Sequence, residues 1–213
     1  MLPRESELAA QFSFSRQAIR EALKVLAAKG LVASRRRTGT VVLPRSSWNL
    51  LDPDVLAWHP PQNLPPDFLH DLVELRRVIE PAAAELAATR GTPESIARIK
   101  AAVEQMHRTI DDRAAFIRAD VEFHAAVGAA SGNVLFDRLS AISEPLLGAS
   151  FALQGHTRTR DMVASDTVPL HAAVSEAITA RDPGAARQAM EALLITAVRE
   201  VSAIPWEKLA GAG

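Results

Sequence analysis

The chain has 213 residues, 48% of them hydrophobic and 23% charged, with no long apolar run; this allows one sizeable core plus a small module and argues against a disordered or membrane-spanning chain. The net charge of −1 conceals a division: residues 1 to 45 carry nine Lys or Arg against three Glu, giving +6, and the rest of the chain carries −7. Cysteine is absent, which excludes disulfide and thiolate chemistry, and with no signal peptide or apolar span a cytoplasmic protein is expected.

A basic head ahead of an acidic body suits a head that meets a polyanion, although charge alone does not separate DNA from RNA or a lipid surface. In the head, Glu5 to Gln11 reads as a short helix with Leu8 and Ala9 inward. After a turn at Ser13-Phe14-Ser15, Ser15 reads as the N-cap of a second helix that runs to about Lys29 and ends at Gly30. Ala18, Ile19, Ala22, Leu23, Val25 and Leu26 mark its core side, while Arg16, Gln17, Arg20 and Lys24 remain for solvent or a partner. Leu31-Val32-Ala33 and Thr40 to Leu43 read as two short strands joined through Arg35-Arg36-Arg37-Thr38-Gly39, a hairpin with a basic tip. Helix, turn, helix and hairpin make a winged arrangement.

Residues 46 to 66 read as a linker whose Trp48, Leu50, Leu51, Leu56 and Trp58 pack between modules. Beyond Pro66 the pattern is helical, near 67 to 90, 93 to 110, 112 to 130, 133 to 153, 167 to 180 and 183 to 204. Abundant alanine and few strand formers make the body an α-helical bundle. The expected organisation is therefore a head over 1–45, a linker over 46–66 and a helical receptor over 67–206, mostly α overall.

A helix in the major groove needs side chains that reach base edges, with phosphate contacts fixing its register. Arg16 and Arg20 are four residues apart and share a face, and Ser15 with the helix N-terminus can meet a phosphate. Arg35, Arg36 and Arg37 can lay the wing across a neighbouring groove; a merely solvated cationic face is the plainer alternative. Leu2-Pro3-Arg4-Glu5-Ser6-Glu7-Leu8-Ala9, Ser15 to Leu23, Leu26, Gly30-Leu31 and Gly39-Thr40-Val41-Val42 resemble the winged helix-turn-helix of the GntR transcriptional regulators. The resemblance implies operator contacts by Arg16 and Arg20 and an approach to the minor groove by Gly39; Ser15, Gln17 and Arg35 to Arg37, read from the residues themselves, complete the candidate DNA-binding set. The family places a further helix and a strand-like turn before the Leu-Pro motif, so a head that starts here is expected to lack about 30 residues and one wall of its core.

In the body, Asp120 and His124 lie one helical turn apart, and His171 stands near the start of a later helix whose buried side is marked by Leu170, Val174 and Ile178. Two imidazoles and a carboxylate suit a borderline divalent ion such as Zn²⁺, Ni²⁺ or Mn²⁺; surface ion pairing or a neutral core histidine explains the same spacing. Leu75-Arg76, Ile79-Glu80-Pro81, Asp120 with Phe123-His124, Ser131-Gly132-Asn133, His171 with Val174 and Asp182-Pro183 resemble the helical effector domain of the FCD branch of the same regulators. The resemblance implies a metal held by an aspartate and three histidines, of which Asp120, His124 and His171 match three. The fourth falls at Leu193, which cannot ligate, so positions remain for water or an effector. His156 is a weaker substitute, and His59, His70 and His107 read as surface or interface residues.

Arg76 lies among Leu72, Leu75 and Ile79 on a core-like face. Either it pairs with Asp120 or Glu80, or it captures an anionic effector together with the metal site, since its fork matches a carboxylate. Arg77 reads as outward, and Asn133 as a helix N-cap. Trp48-Asn49-Leu50-Leu51-Asp52-Pro53-Asp54-Val55-Leu56, with Trp58, resembles the linker of sugar-acid-responsive members such as galactonate-operon repressors. That implies a homodimer on operator DNA that is released by galactonate or a related hydroxy carboxylate, Trp48 and Trp58 carrying the change between modules. A sensor without competent DNA binding and, further off, a metal-dependent enzyme are the alternatives.

Overall fold

The computed structural model describes residues 1–36, 39–52, 54, 55, 58, 66–140 and 166–202, the side chains of residues 66, 67, 69 and 200–202 excepted. Two compact units divide the chain, Met1–Trp58 and His59–Gly213.

The first unit opens with α1 (Glu5–Phe12) and α2 (Arg16–Ala28), followed by strands β1 (Val32–Arg35) and β2 (Gly39–Val42). Ser15 caps α2 by accepting a hydrogen bond from the Ala18 amide at 3.1 Å, and Ser13 makes the turn between the helices at φ +58°. The strands pair antiparallel with Val32 opposite Val42 and Arg35 opposite Gly39, so both ends of the expected tip belong to the ladder. The Leu2 amide donates to the Thr40 carbonyl at 2.8 Å, tying the start of the chain to the wing.

Burial in this unit is narrower than the apolar pattern of α2 implies. Ile19 is buried and Leu23 and Leu26 half-buried, whereas Ala18, Ala22 and Val25 are exposed. At 100° per residue, a helix packed mainly on one side buries a stripe spaced i, i+4, i+7, and the flanking alanines turn away.

The segment after the wing packs with the head. Arg45–Ser47 forms a 3₁₀ turn, and the Trp48 indole N–H donates to the Leu43 carbonyl at 2.9 Å. Lys29 reaches Asp52 Oδ1 at 2.6 Å and Asp54 Oδ2 at 2.9 Å, with Trp58 lying 5.6 Å from its ammonium. Gly30 ends α2 at φ +77°, and a Cβ there would lie 2.2 Å from the Ser47 carbonyl oxygen. Only glycine meets both demands. Val55 is fully buried in this unit. Within this unit, Lys29, Leu43 and Ser47 thus meet the segment after the wing and close it on the head; Leu56, also expected in the linker packing, lies outside the described residues.

The second unit is a helical bundle of α3 (Pro66–Arg90), α4 (Pro93–Arg108), α5 (Arg113–Ala130), α6 (Val134–Ser140), α7 (Val168–Thr179) and α8 (Pro183–Ser202). Residues 141–153, expected to continue α6, lie outside the described residues, as do 203 and 204 after α8. Thr92 caps α4 through the Ser95 amide at 3.2 Å, Asp112 caps α5 through Ala115 at 3.0 Å, and Asn133 caps α6 through Leu135 at 3.0 Å. Pro81 sits inside α3 without ending it, although it removes one ladder donor at a cost of about 3 kcal/mol. The buried face around it, Ala83, Ala84, Ala87 and Ala88, offsets that loss and admits close helix approach.

α3 packs on α8, α5 and α7, and α4 packs on α5 and α7. Phe123, Ile99, Met106, Ile178 and Met190 are fully buried at the centre. Leu193, where the resemblance puts a fourth histidine, joins the same core as an apolar residue. Among the described residues, α3, α5 and α7 are the helices that carry the ionisable residues of the interior.

Candidate functional site

Among the described residues, five ionisable side chains are buried in the body: Arg76 and Glu80 from α3, Asp120 and His124 from α5, and His171 from α7. Each helix contributes at i, i+4 or alone, which aims all five inward from three sides. Arg76 Nε donates to Glu80 Oε1 at 2.5 Å and Nη2 to Oε2 at 3.4 Å, so the guanidinium grips the carboxylate in a fork. Of the two roles open to Arg76, pairing with Glu80 is the one seen. Its Nη2 also lies 3.1 Å from His124 Nε2 and 3.4 Å from Nδ1.

Glu80 Oε2 stands 2.7 Å from His124 Nδ1. His171 Nδ1 lies 2.8 Å from the Thr167 carbonyl, which can only accept, so Nδ1 carries a proton. Nε2 stands 2.6 Å from Asp120 Oδ1, although the two atoms make no hydrogen bond of good geometry. His124 Nε2 is 3.7 Å from the same oxygen. One ligand atom from each of Asp120, His124 and His171 falls within 4.8 Å of the others. Phe123 packs edge-on against both imidazoles, at ring-centre distances of 5.3 Å to His124 and 4.7 Å to His171, and holds their orientation.

Burial alone pushes the Glu80 carboxyl up, but Arg76 and His124 outweigh it and hold it well below the usual carboxylate range. Burial also opposes ionisation of Asp120, where His171 first, then His124 and Arg76, bring the carboxyl below its ordinary value. Two carboxylates therefore face one guanidinium, already engaged by Glu80. Asp120 Oδ1 and His171 Nε2 are buried without a hydrogen bond of good geometry, and a carboxylate with two imidazole nitrogens within 4.8 Å is a donor set a divalent cation accepts.

In the head, Ser15, Arg16, Gln17 and Arg20 are exposed at the start of α2. Arg20 is engaged by Glu5 of α1, with Nη2 2.9 Å from Oε2, an exposed pair. Arg35, Arg36 and Gly39 are exposed on the wing; Arg37 lies outside the described residues. Gly39 takes φ +88° with open space on its Cβ side, so backbone conformation rather than crowding explains the residue. His70 and His107 are exposed, and His59 and His156 lie outside the described residues.

Sequence reasoning treated Glu80 only as an optional partner of Arg76. Its spacing of four from Arg76 on a core-like face was the available signal, but the contact with His124 joins residues 44 positions apart and is tertiary. The Thr167 carbonyl carried no signal, because every residue has one.

A winged helix-turn-helix unit and a separate helical unit with a buried polar cluster define a DNA-binding regulator with a receptor domain. The family model for bacterial regulatory proteins of the gntR family matches residues 1–42, and that for the FCD domain matches residues 71–196. The galactonate operon transcriptional repressor of Escherichia coli K12 is 35% identical over 203 residues, covering 95% of this chain and 88% of the relative. The HTH-type transcriptional repressor NanR of Salmonella newport is 32% identical over 201 residues, covering 89% of this chain and 72% of the relative. Among solved structures, Streptococcus agalactiae GntR matches with a TM-score of 0.55 and 26% identity, over 93% of this chain and 88% of that one. The chain belongs to the FCD-domain branch of the GntR family and is a metabolite-responsive, DNA-binding transcriptional regulator.

Proposed function

We propose that the protein is a cytoplasmic homodimeric repressor that leaves its operator when a sugar acid or related hydroxy carboxylate, galactonate first among them, binds in its helical body. Asp120, His124 and His171 would hold a divalent ion, Zn²⁺ in first place and Ni²⁺ or Mn²⁺ after it. The single observation carrying the receptor reading is the buried pair Asp120 Oδ1 and His171 Nε2, 2.6 Å apart with no hydrogen bond of good geometry between them. The likeness to the galactonate operon repressor supports the effector class.

The ion supplies a Lewis-acidic site for a carboxylate and its neighbouring hydroxyl. The chain supplies the rest. Arg76 offers a guanidinium fork whose Nη2 would pass to the anion, while Glu80 retains its Nε. With Leu193 in place of a histidine, the described residues would give the site three protein ligands, Asp120, His124 and His171, and leave room for the effector's oxygens.

In the head, Arg16, Gln17 and Arg20 would reach base edges in the major groove, Ser15 a phosphate, and Arg35 to Arg37 with Gly39 the adjoining groove. Two-fold symmetry in the dimer implies a pseudo-palindromic site. An effector moves DNA affinity only by binding the released and DNA-bound arrangements differently. Gel shifts on the promoter DNA of its own operon test the proposal: binding should weaken with added galactonate plus Zn²⁺ and persist with Zn²⁺ alone. DNA binding indifferent to a panel of sugar acids, with and without metal, would refute the effector assignment.

A further inference from the structure

We infer that Glu80 is a positioning residue of the metal site: its carboxylate selects the Nδ1–H tautomer of His124 and so presents the bare Nε2 toward Asp120 and His171. The inference rests on the metal-holding receptor reading above.

Two contacts from α3 meet the His124 ring. Glu80 Oε2, an acceptor, lies 2.7 Å from Nδ1, and Arg76 Nη2, a donor, lies 3.1 Å from Nε2. Exchanging the ring proton would set a lone pair against the carboxylate; Arg76 Nη2 lies 3.4 Å from Nδ1 as well, so the Glu80 contact is the one that decides. Glu80 cannot turn aside, because Arg76 holds both of its oxygens and both side chains are buried. His171 reaches the same state by another route, its Nδ1 donating to the Thr167 carbonyl at 2.8 Å. Both imidazoles therefore carry their proton on the nitrogen away from Asp120, with one buried acceptor responsible for each. A carboxylate behind a histidine ligand fixes the ring and strengthens the donor nitrogen, and losing such a partner typically costs 10- to 100-fold in metal affinity.

If Glu80 served only to neutralise Arg76, replacing both by apolar residues would leave His124 and the ion unaffected. The full-length protein, labelled with ¹⁵N at histidine and freed of metal, separates the two roles by long-range ¹H–¹⁵N spectra, with His124 assigned from a His124→Gln sample. The wild type should show a protonated Nδ1 and a bare Nε2 on His124. In Glu80→Gln, and in the double variant Arg76→Met with Glu80→Met, which removes the ion pair as a unit, His124 should lose that preference while His171 keeps it. Zn²⁺ affinity, read by competition with a chromophoric chelator, should fall about 10- to 100-fold in both.

A His124 without the Nδ1–H tautomer in the wild type overturns the inference, and that spectrum decides even if neither variant folds. So does a wild-type tautomer and Zn²⁺ affinity in variants that lose only thermal stability. A wild type that binds no divalent ion, with the tautomer as stated, refutes the metal reading instead and removes the role with it.

Discussion

Asp120 Oδ1 and His171 Nε2 face one another at 2.6 Å within the body, and no hydrogen bond of good geometry joins them. A carboxylate oxygen and an imidazole nitrogen at that separation share either a proton or a cation. They come from the facing helices α5 and α7, with Arg76 and Glu80 of α3 on a third side.

The metal reading gives a stoichiometry. Purified protein loaded with Zn²⁺ and dialysed should hold about one ion per chain by elemental analysis, and His124→Ala or His171→Ala should hold far less. Affinity should fall as pH is lowered, since protons compete for the ligating imidazoles. Equal ion content in both variants would remove these histidines from the site.

Arg76 and Glu80 are a buried pair, so removing one partner is costlier than removing both. Arg76→Met alone should lose about 3–5 kcal/mol of stability in urea titration, and the double Met variant much less. Galactonate titrated calorimetrically into the metal-loaded double variant should bind at least about tenfold more weakly, the loss expected for a charged contact worth at least 1.4 kcal/mol. A double variant as unstable as the single one would show that the pair is not coupled.

Arg20 is paired with Glu5 at 2.9 Å, so an operator contact by Arg20 would have to displace Glu5. Arg20→Ala and Arg16→Ala should each lose about 1–3 kcal/mol of specific operator affinity, while Glu5→Gln should bind slightly more tightly than the wild type. Arg35→Ala should instead weaken binding to all sequences alike and flatten the salt dependence by about one unit of slope. Fluorescence anisotropy over a salt series distinguishes these, and unchanged affinity in both α2 variants would defeat the recognition assignment.

The strap on the head responds to pH through Asp52. Lys29 holds its carboxyl below the usual range, with the Val55 and Asp54 amides adding to the effect against the opposing cost of burial. A carboxyl whose value is lowered by folding stabilises the native state above its ordinary range and loses that contribution as pH falls through the folded value. Lys29, raised chiefly by Asp52 and then Asp54, contributes below its ordinary range and loses its share as pH rises past the folded value. Trp48 and Trp58 fluorescence should therefore report a loosening under acid that Asp52→Asn shows already at neutral pH. An acid transition identical in Asp52→Asn and wild type would rule the pair out as its source.

Much of this was readable before any coordinates. Caps at Ser15 and Asn133, the helix stop at Gly30 and the wing are local events, set by hydrogen bonds and backbone preferences spanning a few residues, and local rules reach them. Candidate ligands were also visible, because Asp120 and His124 share a helix face whatever surrounds them. The gntR and FCD signatures then carried the class of protein.

Contacts between distant segments were not readable. Arg76 presented two futures on paper, and packing of α3 beside α5 selected Glu80 as its partner and brought both to His124. The linker pattern did not show that Trp48 and Asp52 would meet the head, where Leu43, Lys29 and Gly30 receive the segment through a carbonyl, an ion pair and a missing side chain. Composition and spacing state which groups a chain owns and how each helix displays them. Which acceptor meets which proton depends on helices crossing at a few ångströms, and that distance exists only in the folded body.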